Sequence, residues 1–319
     1  MLIGNHPYQF EFQDFPLQMP ANLTLGYTHG VCVDTADNVY VFNQSQQAVL
    51  AFDRHGKFIR SWGEEYRHGA HGMRLTDEDY NEFLYLTDYE NHHVTKTTLR
   101  GLQQFRLGVP PRPDLYGGPT DFKPTDACVA PDGTIFVFDG YGKHYVHAYN
   151  RKGKYQFTIG GAGDGEGKFN CPHGGWVDTR RTEPELYVAD RGNGRVQVFG
   201  LDGTFRRVIK HPELRQPCGF YQYGYDLYVP DLQARLVVLN AKDEVAAVLG
   251  DDPEAPGRPG WPNTPDKLVS GKFSSPHAVA IDTRGDVYVA EWISTGRVTK
   301  LVRKSAPPDN MQPQPGRMG

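Results

Sequence analysis

Short apolar runs broken by turn residues recur along the whole chain, with the period of two that half-buried strands show. One unit reads Ala127-Cys128-Val129-Ala130, the turn Pro131-Asp132-Gly133, Ile135-Phe136-Val137-Phe138-Asp139, a loop, and Tyr145-Val146-His147-Ala148-Tyr149. The turn Asn150-Arg151-Lys152-Gly153 then leads into 154–160, a fourth strand. The same hairpin signal returns at 53–57 and 200–204, where Gly56 and Gly203 can supply the positive φ of a tight turn. Helical periodicity is absent over almost the whole length, so the pattern predicts an all-β chain.

The units share more than polarity. Thr28-His29-Gly30-Val31, Ala70-His71-Gly72-Met73, Pro172-His173-Gly174-Gly175 and Pro276-His277-Ala278-Val279 put histidine at one repeated place, which Thr125 and Cys218 take in two further copies. Six copies, 42 to 59 residues apart, each with four short strands, predict a six-bladed β-propeller. The last unit runs out after three strands, near Val298 to Val302, and the alternating stretch Tyr8-Gln9-Phe10-Glu11-Phe12 is expected to complete it and close the ring. One propeller domain is expected over 1–304, with a disordered Pro-rich tail over 305–319.

In a propeller the first strand of every blade lines the central channel. Blades two, four and six therefore bring His71, His173 and His277 toward one point, and three imidazoles with an open axial direction suit a catalytic transition metal. A single histidine at such a strand start would be incidental; three in alternation, otherwise left to repel when protonated, favour the metal. His29, on blade one, is a fourth neighbour that could ligate, pass a proton or bind substrate. The other histidines, His92, His93 and His147 among them, are expected on solvated surface. The second strands end in Asp88, Asp139, Asp190, Asp231 and Glu291, read as turn residues that accept backbone N–H groups. The loops just beyond carry Gln44, Tyr141 and Arg191, a candidate base and a candidate carboxylate anchor among them. The long connections 101–122 and 250–275, rich in Pro and Gly, are expected as ordered lids over the histidine mouth, enclosing a small-molecule pocket.

Composition narrows the classes further. With 34 Lys+Arg against 38 Asp+Glu and a net charge of −4, the chain lacks the basic footprint of a nucleic-acid or anionic-membrane binder. No apolar run has membrane-spanning length and no N-terminal signal segment is visible, so a cytoplasmic protein is expected. The 4 cysteines suggest neither a disulfide framework nor a C-x-x-C zinc site.

The units resemble NHL repeats. The ordered set Ala-His-Gly-Met, Lys-Pro-Thr-Asp, Asp139-Gly140-Tyr141, Pro-His-Gly, Val188-Ala189-Asp190-Arg191-Gly192-Asn193-Gly194-Arg195 and Ser-Pro-His is similar, over roughly 60–303, to peptidyl-α-hydroxyglycine α-amidating lyases. The resemblance implies a divalent metal, zinc first, on His71, His173 and His277, with Tyr141 as base and Arg191 in the site. It implies C–N cleavage of a carbinolamide to an amide and glyoxylate. Gln44 stands near the place of a second family arginine, and Ala278 replaces the family's calcium-binding aspartate, leaving that calcium short of a ligand. Phe122, Gly142, Tyr187 and Val198 stand near the family's disulfide cysteines. The competing readings are a metal-dependent hydrolase or isomerase, for which the expected lactonase-type carboxylate and asparagine ligands are missing, and a non-catalytic NHL scaffold.

Overall fold

Gly56 and Gly203 hold φ of 84° and 85°, and the hairpins they turn are formed. A computed structural model describes residues 1–263 and 268–306 and is all-β, with only single 3₁₀ turns as helical elements among the described residues. The strands build six antiparallel sheets of the six-bladed β-propeller class. The chain divides into two compact units: one holds Met1–Arg67 and the described residues from Pro212 to 306, the other His68–His211.

The second unit contains blades two, three and four. Their first strands are Ala70–Glu78, Asp126–Val129 and Pro172–Asp178, and each is followed in order by three more. Apolar faces of neighbouring blades meet in cores such as Phe136, Phe138, Val146, Leu186, Val188 and Phe199, all essentially inaccessible to water. Each such side chain contributes roughly 1.5–3 kcal/mol of burial. The first unit contains blade five (strands from Tyr221–Tyr223 to Val245–Leu249), blade six and blade one (Thr28–Val33 to Phe58–Trp62). Blade six shows the expected closure: Phe10–Asp14 pairs antiparallel with Arg297–Arg303, and Phe10 and Phe12 enter the core with Leu236, Val289 and Leu301. A further short strand, Leu2–Ile3, which the hydrophobic pattern did not predict, pairs on its outer side.

Ser305 is bonded to Gln9 and Pro7, while 307–319, most of the expected tail, lie outside the described residues. The four cysteines are buried and none is in a disulfide. No described helix is long and apolar enough to cross a membrane. Two histidines depart from the expectation of solvated surface: His93 is 5% exposed and His147 wholly buried. His147 sits on the third strand of its blade, where its ring nitrogens meet Tyr116 and Thr158, so burial leaves them hydrogen-bonded.

Candidate active site

Each repeated histidine lies where its strand breaks register. Thr28 pairs with Asn43 and Gly30 with Phe42, so the ladder steps over His29. The same irregularity falls between Ala70 and Met73, between Pro172 and Gly174, and between Pro276 and Ala278. A β-bulge kinks the strand and re-aims the extra side chain, which gives all four imidazoles a common structural cause. Thr125 precedes its blade's first strand, whose ladder runs from Asp126 without a register shift, and Cys218 precedes the strand Tyr221–Tyr223.

In the second unit the rings of His71 and His173 lie 4.8 Å apart. His71 Nδ1 is 2.6 Å from the Thr125 carbonyl oxygen, which can only accept. The proton is thereby placed on Nδ1 and the lone pair on Nε2, the tautomer of a metal-ligating histidine. The Tyr141 hydroxyl stands 3.0 Å from His71 Nε2 and 3.3 Å from His173 Nε2, and accepts from Arg191 Nη1 at 3.3 Å. Three predicted side chains, His71, His173 and Arg191, thus converge on the phenol oxygen of a fourth, Tyr141. Tyr89, which the sequence reading passed over, adds an edge contact to His71 and another to Tyr141. It follows Asp88 as Arg191 follows Asp190, so the repeat register held the signal that would have found it.

In the first unit His29 and His277 form their own pair, rings 4.7 Å apart. His277 Nδ1 is 2.7 Å from the His29 carbonyl, which sets the same tautomer as in His71. Tyr27, two residues before His29, stacks on Trp292 at 5.4 Å, and Asn263 of the 250–275 connection donates to the Tyr27 hydroxyl at 2.9 Å. Gln44 lies beside them, its backbone N–H donating to the Tyr27 carbonyl. Both ligand tautomers, together with burial of all four imidazoles, fit a histidine-bound transition metal.

The acidic residues ending the second strands build turns. Asp88 accepts from Asn91 N–H, Asp190 from Asn170 N–H, Asp231 from Arg215 and Gln216 N–H, and Glu291 from Ser274 N–H, all at 2.6–2.8 Å. A further buried charge pair ties the second unit together. Arg74 of blade two reaches Asp126 of blade three at 3.2 Å and the Gly175 carbonyl of blade four at 3.0 Å, and lies over the Trp176 ring.

Known proteins point the same way as the motifs. A family described as "6-bladed beta-propeller" matches residues 125–235. Peptidyl-alpha-hydroxyglycine alpha-amidating lyase 1 of Drosophila melanogaster is 30% identical over 89% of this chain and 58% of its own length. NHL repeat-containing protein 3 of Homo sapiens is 29% identical over 56% of this chain and 53% of its own. The chain thus spans little more than half the length of these relatives. A streptogramin B lyase structure superposes with a TM-score of 0.62 at 13% identity, covering 92% of this chain and 98% of that one, a likeness of fold. The resemblance to amidating lyases and NHL-repeat proteins read from the motifs therefore holds.

Proposed function

We propose that this chain is a metal-dependent lyase that cleaves a C–N bond at the hydroxylated carbon of a small anionic substrate. The observation that carries the reading is the Tyr141 hydroxyl, set among His71 Nε2, His173 Nε2 and the Arg191 guanidinium. The similarity to an amidating lyase over 89% of the chain supports it.

The metal, zinc first, would be held by His71, His173 and His277, and when bound it supplies Lewis acidity toward a substrate oxygen. Tyr141 then acts as the base that takes the hydroxyl proton of the carbinolamide. As the C–O bond becomes C=O the C–N bond breaks, and the nitrogen takes up a proton, giving an amide and an α-keto acid such as glyoxylate. Arg191 pairs with the substrate carboxylate and, by donating to the phenol oxygen, favours its deprotonated form. His29, beside His277, is assigned to proton transfer at the leaving nitrogen. Four buried cysteines outside any disulfide support a reducing compartment, the cytoplasm.

Metal analysis of tag-free protein, followed by a glyoxylate assay with an N-acyl-α-hydroxyglycine, tests this reading. Near one equivalent of transition metal with glyoxylate release is expected. Metal-free, fully folded protein would overturn it in favour of a scaffold, and metal without glyoxylate would remove the substrate class.

A further inference from the structure

Two residues before Tyr141, the Asp139 carboxylate gathers three donors. Oδ1 accepts from Lys123 N–H at 2.7 Å; Oδ2 accepts from Lys143 N–H and the Tyr116 hydroxyl, both at 2.7 Å. Lys123 and Lys143 bracket the Tyr141 turn, and Tyr141 N–H donates to the Lys123 carbonyl. Gly142 passes so near that a Cβ there would lie 2.1 Å from Asp139 Oδ1. The turn that presents Tyr141 is wrapped around this one carboxylate.

Hydrogen-bond inventory orders what lies behind it. The Tyr116 hydroxyl is also 2.7 Å from His147 Nε2. Its single hydrogen goes to the carboxylate, which has none to give, so His147 donates from Nε2. Burial, aided by the Arg112 charge, pushes His147 down to about 3, so the ring is neutral and carries one N–H only. Nδ1 must then accept from Thr158 Oγ1 at 2.8 Å. With that hydrogen used, Thr158 accepts from the Tyr155 hydroxyl at 2.8 Å, and Tyr155 from Arg112 Nη1 at 3.2 Å. Every link points the same way, from a surface guanidinium to the buried carboxylate.

We propose that Asp139 is the positioning residue for Tyr141, held as a carboxylate by a one-way hydrogen-bond chain running from Arg112 through Tyr155, Thr158, His147 and Tyr116. The chain stands by itself; its bearing on catalysis rests on the reading of Tyr141 as the base. The connection 101–122, which contributes Arg112 and Tyr116, thereby acts on the turn that presents Tyr141. Titratable neighbours facing Asp139 are Tyr116 from that connection, His144 from the turn, His147 with Tyr145 and Tyr149 from the third strand, and Cys171 ahead of blade four. Burial raises the Asp139 carboxyl to about 6, and the Tyr116 hydrogen bond is the first of the effects opposing that rise. Deleting the Tyr116 hydroxyl therefore raises it further.

The test is 15N-lysine labelling of the full chain, with the Lys123 and Lys143 amide signals assigned by K123R and K143R and followed between pH 4 and 8. A shared midpoint near 6 is expected, moved up by about half a unit or more in Y116F and by less in T158V, which touches no group bonded to Asp139. Amides that do not titrate together, or midpoints unmoved in both variants, overturn the chain. With an N-acyl-α-hydroxyglycine, Y116F should shift the acid limb of kcat to higher pH, whereas a merely structural role lowers kcat equally at every pH. Shifted amide midpoints with an unmoved acid limb overturn the positioning role. Shifted midpoints in a wild type without turnover support the chain and count against the proposed function alone.

Discussion

The two units treat the same inherited position differently. Each offers two bulged histidines with rings under 5 Å apart, one of them fixed by a backbone carbonyl on Nδ1. Beside the pair in blades two to four stand a phenol and a guanidinium, Tyr141 and Arg191. Beside the pair in blades six and one stands an aromatic stack, Tyr27 on Trp292. The histidine belongs to the repeat, whereas the chemistry depends on the residues that follow the second strand of each blade. Tyr89, Arg191 and Trp292 occupy one register, and only its occupant changes.

That contrast can be broken most sharply through the metal. Alanine at His71, His173 or His277 is expected to take bound metal from near one equivalent to background by elemental analysis, while H29A keeps the metal and loses rate. A histidine pair that retains metal after losing one member would show that the units act separately. Next in size, Y141F should lower kcat roughly 10²–10⁴-fold with metal unchanged, the span typical of a lost acid–base group. W292A, at the register that Arg191 holds in the other unit, should change kcat by less than about tenfold in the same glyoxylate assay if the aromatic stack holds no acid–base group.

Stability sharpens the comparison from another side. D126A leaves Arg74 buried without its carboxylate and should cost about 3–5 kcal/mol in urea unfolding. A cost below about 1 kcal/mol would mean that water reaches the guanidinium. The smallest effect concerns pH. Asp139 titrates near 6 in the folded chain, above its ordinary value, so between about pH 4 and 6 the unfolded state gives up that proton first. Stability from this group therefore falls as pH rises through the window. Carboxylates such as Glu11 and Asp53, shifted downward, add the opposite slope. The readable quantity is thus the difference between wild type and D139N, whose slope should lack the Asp139 contribution.

Much of the architecture was legible because strand alternation and turn glycines are local. The hairpins at Gly56 and Gly203 follow from residues close together in the chain, and the six-fold repeat, short of one strand in its last copy, left the alternating N-terminal stretch to complete that blade. His71, His173, Tyr141 and Arg191 were legible as candidates through the repeat register and the motif order. The bulges were not, because an extra residue shows only when two strands are paired. His147 read as surface because its partner Tyr116 lies 31 residues away, on a connection without periodicity.

The amino-acid pattern alone determined that the chain is β, how often it repeats and which position of the repeat carries imidazole, since these depend on near-neighbour polarity. Folding decided which nitrogen of His71 and His277 bears the proton, that Tyr141 meets Arg191, and that a buried aspartate anchors the turn between them. Those outcomes depend on carbonyls and side chains brought together from distant segments, and no local pattern encodes that distance.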